Sequence, residues 1–145
     1  GDPALADLLE AETYKQDLVS DEQRQEASRR ACELLDRFRH HPLWEEIDAA
    51  RERYAELPYS FSATDGTQSR VIDLLYQGQD GSWQLVDFKT DAIHSLAKKE
   101  QLSYHYANQV RSYQRTAQTQ LQQKVTARLC FLDDQGEVTV TRIEA

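Results

Sequence analysis

The feature that most constrains the fold of this chain is a pair of strand-like runs joined by a tight turn. The runs are "SRVIDLLY" at 69–76 and "SWQLVDFKT" at 82–90, and the turn "GQDG" lies between them at 78–81. Alternating branched and aromatic residues around a Gly- and Asp-rich turn are typical of a β-hairpin. In the second run, alternation places Asp87 and Lys89 on one face of the strand and Phe88 on the other.

The rest of the chain predicts helices and strands around this hairpin. Ser20 with Gln23 resembles a capping box and opens an amphipathic helix at 21–39, and Pro42 suits the first turn of a short second helix. Four further segments are predicted: a short helix at 3–12, a strand at 56–63, a long helix at 97–121 and a second hairpin at 124–144. This order predicts an α/β fold with a central mixed sheet of about five strands flanked by helices.

Length and composition favour one globular domain. The chain has 145 residues, of which 39% are hydrophobic, and no apolar run approaches the roughly 18 residues that a membrane span needs. Cys32 and Cys130 lie in no metal-binding or redox motif, which predicts two reduced, buried thiols in a cytoplasmic protein. The acidic N-terminus lacks the features of a signal peptide, and the initial Gly without a Met suggests a piece excised from a longer protein.

A net charge of −8 argues against a general nucleic-acid-binding surface, which is usually basic. The charge does not exclude a nuclease, because a magnesium site is itself built from carboxylates and another domain could supply a basic track for DNA.

Two carboxylates and a lysine are expected to meet across the first hairpin. Alternation predicts that Asp73 shares a face with Val71 and Leu75, and adjacent antiparallel strands bring facing residues within about 5 Å. Neighbouring carboxylates repel each other, and a divalent cation removes that conflict. Such an ion, with Lys89 beside it, supplies the parts for phosphodiester hydrolysis. The alternative is a surface ion pair between Asp87 and Lys89, with Asp73 solvated on an edge strand.

The motifs "VIDLLY", "GSWQLVDFKTD" and "YANQVRSY" together resemble the RecB/AddA-like branch of the PD-(D/E)XK nucleases, over roughly residues 30–145. The resemblance implies a restriction-endonuclease-like fold and a deoxyribonuclease that depends on Mg²⁺, for which Mn²⁺ can substitute. It implies that the metal is held by Asp73, Asp87 and the backbone carbonyl of Phe88. Lys89 would be the catalytic lysine.

The same resemblance suggests residues on the DNA side. Gln109 and Tyr113 match the family's Q-x-x-x-Y motif, which is associated with DNA contact, and their spacing of four places them on one helical face. Tyr106 fits the tyrosine that precedes this glutamine in the family. Glu56, in "ELPY", matches an E-x-P-[FY] scaffold strand and is a weaker site candidate. Arg70 stands where the family usually has Gly, so it is interpreted as a phosphate contact or as drift from the family pattern.

One family motif is missing. The family carries an upstream G-T-x-x-H helix whose histidine completes the metal site, and no such motif occurs in this chain. We therefore expect residues 1–145 to form a single nuclease domain, one ligand short, from the C-terminal part of an ATP-driven, exonuclease V-like helicase–nuclease for double-strand-break repair and recombination. On its own, a domain that lacks this ligand is expected to bind metal weakly and to cut slowly or not at all. Its expected partners are DNA and the helicase domain of the same parent chain, with a second helicase–nuclease subunit as a further candidate and no membrane. The alternatives are a catalytically inactive nuclease fold used for DNA binding or protein docking, and an unrelated acidic adaptor.

Several other side chains are expected to have structural roles. His40 and His41 lie between two helices, where loop or capping roles are expected and replacement of the missing histidine is the alternative. Asp91 is interpreted equally well as a supporting group of the site or as a turn residue. Solvent-exposed positions are expected for His94, Lys98 and Lys99. Core packing is expected for Trp44, Trp83 and Tyr106.

Overall fold

The computed structural model of the protein describes residues 20–63 and 66–144, and within this part the side chains of 58–70 are not described. The described helices are α1 (Asp21–Arg39), α2 (Pro42–Asp48) and α3 (Leu96–Leu121). The strands are β1 (Glu52–Ala63), β2 (Gly66–Gln77), β3 (Trp83–Lys89), β4 (Val125–Asp134) and β5 (Glu137–Ile143). The helices and β3 agree closely with the sequence predictions, whereas β1 and β2 begin at Glu52 and Gly66, earlier than the predicted starts at 56 and 69. The helix predicted at 3–12 lies outside the described residues.

The strands form one sheet in the order β1-β2-β3-β4-β5. Three neighbouring pairs are antiparallel, while β3 and β4 are parallel because the long helix α3 connects them. The prediction of an α/β fold with a mixed sheet of five strands is therefore confirmed.

Each described helix begins at a residue whose side chain accepts a backbone hydrogen bond. Ser20 Oγ accepts from the Gln23 amide at 3.1 Å, which confirms the predicted start of α1. The ring of His41 caps α2, and Ser95 Oγ caps α3. Because His40 is the C-terminal cap of α1, the capping roles predicted for both histidines are confirmed.

The sheet has a hydrophobic cluster on each face. One cluster packs α3 against the sheet and includes Trp83, and the other packs α1 and α2 and includes Trp44. In the second cluster the fully buried Phe38 of α1 meets the ring of Phe88 edge to face, with centroids 5.3 Å apart. Phe88 thus packs β3 against α1 on one face of the sheet, while Asp87 and Lys89 lie on the face toward α3. The core positions predicted for both tryptophans are confirmed.

The cysteine prediction is half right. Both cysteines are free, and Cys130 is buried in β4, where burial raises the pKa of its thiol to about 12. Cys32, in contrast, is exposed, so the prediction that it is buried was wrong. It lies on α1 beside the buried stripe of Ala31, Leu34 and Phe38 instead of within it.

Candidate active site

The candidate site lies where β2 separates from β3. The ladder between these strands ends at the pair Leu74↔Val86, although β2 continues to pair with β1 as far as Gly66. One further step in the same register places Asp73 opposite Asp87. The two carboxylates therefore stand on facing strands at the point where the sheet begins to split, as the sequence predicted.

Asp73 is buried at this split and bonds to the neighbouring strand. It is 7% exposed, and its Oδ2 accepts a hydrogen bond of 3.0 Å from the backbone N–H of Phe88. The carboxylate satisfies a strand amide beyond the last backbone pair of the β2–β3 ladder. This bond ties Asp73 to the residue between Asp87 and Lys89.

The predicted alternation around Asp73 was wrong in one respect. Val71 is 38% exposed, whereas its neighbour Ile72 is buried in the same cluster as Leu75. The alternation of faces therefore shifts by one residue at Asp73. The opposite strand has a matching irregularity: Glu56, which the register places opposite Asp73, has φ = +53°, a left-handed conformation that is uncommon outside glycine.

The prediction that Asp87 and Lys89 share a face is confirmed. Lys89 Nζ lies 3.1 Å from Asp87 Oδ2, and Asp87 is only 3% exposed. The contact is an ion pair by distance, but its angles are not those of a hydrogen bond, so Asp87 Oδ2 has no hydrogen-bond partner among the described residues. The alternative of a surface ion pair does not fit a carboxylate buried this deeply.

Helix α3 supplies two more contacts to Lys89. The Nζ of Lys89 donates to Gln109 Oε1 at 3.1 Å. The same Nζ lies 4.1 Å from the centroid of the Tyr106 ring, close enough for a cation–π interaction. Tyr106 and Gln109 are three residues apart on the helix and share a face. The ammonium is therefore held between a carboxylate from its own strand and two side chains from α3.

Tyr106 also anchors the segment after β3. Its hydroxyl donates to the two oxygens of Asp91, at 3.2 and 3.1 Å. Burial, followed by the nearby charge of Asp91 and this hydrogen bond, raises the pKa of Tyr106 to about 12, so the hydroxyl keeps its proton in neutral solution. The structure thus places Asp91 as a supporting group of Tyr106. Tyr106 packs against the core cluster as predicted, but it is only half-buried, and it also contacts Lys89 and Asp91.

The described residues fit a divalent cation bound by few protein ligands. A buried carboxylate oxygen without a hydrogen-bond partner, such as Asp87 Oδ2, is suited to a metal ion, and hard carboxylate oxygens are the ligands that Mg²⁺ prefers. Asp73 and the carbonyl of Phe88 could complete the protein ligands. Over residues 20–63 and 66–144, no group of three or more His, Cys, Asp or Glu side chains could hold a metal ion.

The other predicted site residues are spread around this centre. Tyr113 is buried in the α3-side core cluster, one turn beyond Gln109. Arg70 belongs to β2, but its side chain falls within 58–70 and is outside the description. His94 and Lys98 are exposed as predicted, whereas Lys99 is paired with Asp134 at 2.9 Å, which corrects the prediction of a solvated lysine.

The contacts of two arginines in α1 with the ends of β3 and β4 could not be predicted from the sequence. Arg30 of α1 donates to the backbone carbonyl of Thr90 at 2.6 Å, immediately after Lys89. Arg30 and Arg37 also pair with Asp133, at 3.0 and 3.2 Å, so α1 is fastened to the ends of β3 and β4. Seven residues separate the two arginines, which places them on one side of the helix.

This chain is similar in sequence to part of a helicase/nuclease subunit. No family model matches this chain. By sequence it is 31% identical over 113 residues to an ATP-dependent helicase/nuclease subunit of Lysinibacillus sphaericus (strain C3-41). The match covers 71% of this chain and 9% of that protein, so this chain is a distant homologue of a small part of a helicase/nuclease subunit.

The structural comparison adds no argument about the fold. Protein VC1899 from Vibrio cholerae matches with a TM-score of 0.33 and 13% identity, over 86% of this chain and 38% of that one. In the part of this chain that the structure describes, no helix is both long enough and apolar enough to cross a membrane.

Proposed function

We propose that this chain is the metal-dependent deoxyribonuclease domain of a RecB/AddA-type helicase–nuclease, with the PD-(D/E)XK fold over residues 1–145. The observation that carries the proposal is the trio of two buried carboxylates, Asp73 and Asp87, and the partly buried Lys89 at the split between β2 and β3. The similarity to a helicase/nuclease subunit supports the same class of protein from an independent direction.

In this proposal each member of the trio has a separate task. Asp73, Asp87 and the carbonyl of Phe88 would hold Mg²⁺ or Mn²⁺, and the ion would supply Lewis-acid activation of a water and of a phosphoryl oxygen. Lys89 directs its ammonium toward the attacked phosphate and stabilises negative charge that develops there. The low exposure of both carboxylates strengthens these interactions, because little water screens them.

The DNA side of the site would be shaped by α3. Gln109 already contacts Lys89, and we propose that it orients the lysine while Arg70 contributes to binding of the strand. Tyr113 is 5% exposed in the core cluster, so we propose that it supports the DNA side by fixing α3 against the sheet and not by touching the strand. The net charge of −8 indicates that most phosphate contacts come from elsewhere. A helicase domain of the parent protein, with a second helicase–nuclease subunit, would deliver the DNA strand during double-strand-break repair.

The second candidate is an inactive nuclease fold that serves in DNA binding or protein docking. The acidic charge and the absence of a G-T-x-x-H motif favour it. An acidic adaptor is favoured less, since that interpretation expects Asp73 and Asp87 far apart and the strand register puts them face to face.

Titration calorimetry with Mn²⁺ separates the nuclease from the inactive fold. We expect wild-type protein to bind Mn²⁺ and Asp73→Ala to show no binding heat, because the variant loses one of two carboxylate ligands. Asp36→Ala, which removes an exposed carboxylate from α1, is the matched control and is expected to bind as wild type does. Absence of binding to the wild type, or equal binding by Asp73→Ala, would count against the nuclease and for the inactive fold.

A further inference from the structure

Lys89 needs a fixed position if it is to act on a phosphate. A lysine ends in a point charge on a flexible stem of four carbons, so ordering its side chain costs conformational entropy. Catalytic groups must be held within about 0.5 Å of their working position. Lys89 is the last residue of β3, so the strand constrains its backbone but not the end of its side chain.

Asp87 and Gln109 each contact the Lys89 ammonium at 3.1 Å, and the Tyr106 ring adds a third contact, which covers a different side of the ammonium with an aromatic face. The ring lies against the ammonium of Lys89, with 4.1 Å between Nζ and the ring centroid, on a different element from the strand. The ring is itself fixed at its far end, because its hydroxyl bonds both oxygens of Asp91, two residues after Lys89. The contacts therefore close a loop from Lys89 through Tyr106 and Asp91 back to the same stretch of chain.

We propose that Tyr106 is a positioning residue for Lys89, and that Asp91 holds the Tyr106 ring in the orientation that this requires. The inference rests on the proposed function, since it assigns Lys89 a catalytic position to be held. Tyr106 acts through Lys89 and does not touch the substrate. An apolar side chain would also fill the place of Tyr106 against the core, but it would offer neither a π face to the ammonium nor a hydroxyl to Asp91.

The position of Lys89 can be measured without any assay of activity. In protein labelled with ¹³C-lysine, the ε-methylene protons of Lys89 are expected upfield of those of the other lysines, because the adjacent Nζ lies 4.1 Å from the centroid of the Tyr106 ring. The signal is assigned by its loss in Lys89→Arg. We expect Tyr106→Leu to abolish the upfield shift and Tyr106→Phe to keep part of it, since Phe retains the ring. Asp91→Ala is expected to resemble Tyr106→Phe.

The kinetic consequence is a selective loss of turnover. Misplacing a catalytic group by about 1 Å can cost up to 10²-fold, so we expect Tyr106→Leu to lower kcat for DNA cleavage about tenfold or more with little change in KM. Tyr106→Phe is expected to lose less. Tyr104→Leu changes a tyrosine that is 84% exposed on the same helix, and it is expected to alter neither readout.

Three results would overturn the inference. The first is an Lys89 signal without an upfield shift, the second is a shift that persists in Tyr106→Leu, and the third is unchanged kcat in a folded Tyr106→Leu. If wild-type protein cleaves no DNA, the proposed function fails, and the NMR result alone decides whether Tyr106 fixes Lys89. If Tyr106→Leu does not fold, Tyr106→Phe, which lacks only the hydroxyl oxygen, takes its place in the NMR and kinetic comparisons with the wild type.

Discussion

Replacing Lys89 with Ala is expected to lower kcat for cleavage of linear DNA by about 10²- to 10³-fold, the usual cost of removing one group that stabilises transition-state charge. Binding of Mn²⁺ is expected to persist, because Lys89 is a cation and the proposed ligands remain. The variant also frees Asp87 Oδ2 from its ion pair, which favours the metal. Steady-state kinetics with Mg²⁺ and calorimetry with Mn²⁺ measure the two effects separately.

The matched control for this prediction is Lys98→Ala, which removes an exposed lysine near the start of α3. It is expected to retain wild-type kcat, with at most a small rise in KM from the lost positive charge. Full activity in Lys89→Ala would remove Lys89 from the mechanism. A parallel loss of Mn²⁺ binding would show that Lys89 maintains the site's structure and would contradict the separate tasks assigned to the trio.

Replacing Phe38 with Ala is expected to lower the free energy of unfolding by about 3–5 kcal/mol. Phe38 is 0% exposed and meets Phe88 and Trp44 edge to face, with centroids 5.3 and 5.8 Å apart. The truncation leaves a cavity between α1 and the sheet. It also removes the aromatic contact with Phe88, which lies on the strand that carries Asp87 and Lys89. Equilibrium unfolding in urea measures the loss.

The control for Phe38→Ala is Gln25→Ala, an exposed position on the same helix, which is expected to change stability by about 0.5 kcal/mol or less. A loss near 1 kcal/mol in Phe38→Ala would mean that α1 contributes little to holding the sheet. In that case the contact between Phe38 and Phe88 could not be what supports β3 beneath the site.

Regular alternation made β3 predictable from the sequence. Asp87 and Lys89 face the same way because β3 is paired along its whole length with β4, so its pleat is undisturbed. The helix starts were equally predictable, since Ser20 caps α1 through a local contact with Gln23. In each case the information lies within a few residues of the feature that it determines.

The break in alternation at Asp73 was not predictable in this way. It coincides with Glu56, whose positive φ lies on the neighbouring strand, and glutamate carries no preference for that conformation. The exposed position of Val71 follows from this non-local irregularity. The spacing of residues within one strand gives no information about the backbone conformation of the neighbouring strand.

The role proposed for Tyr106 was hidden for a similar reason. Its position in the helical stripe predicts core packing, and it does pack against the α3-side cluster. Its contact with Lys89 depends on how α3 crosses the end of β3, which is a property of the tertiary structure. The spacing of three between Tyr106 and Gln109 was the available signal that both could face one site.

Cleavage of linear single- and double-stranded DNA, by wild-type protein and by Asp87→Ala, tests the central claim most directly. We expect cleavage by the wild type in Mg²⁺ or Mn²⁺, none in EDTA, and none by Asp87→Ala under any of these conditions. Equal cleavage by Asp87→Ala, or cleavage by the wild type in EDTA, would contradict the claim that Asp73 and Asp87 hold the catalytic metal. Because the domain is expected to cut slowly, the decisive negative result is a wild-type protein that cleaves neither substrate at high Mn²⁺ and after prolonged incubation, and this result would contradict the nuclease assignment itself.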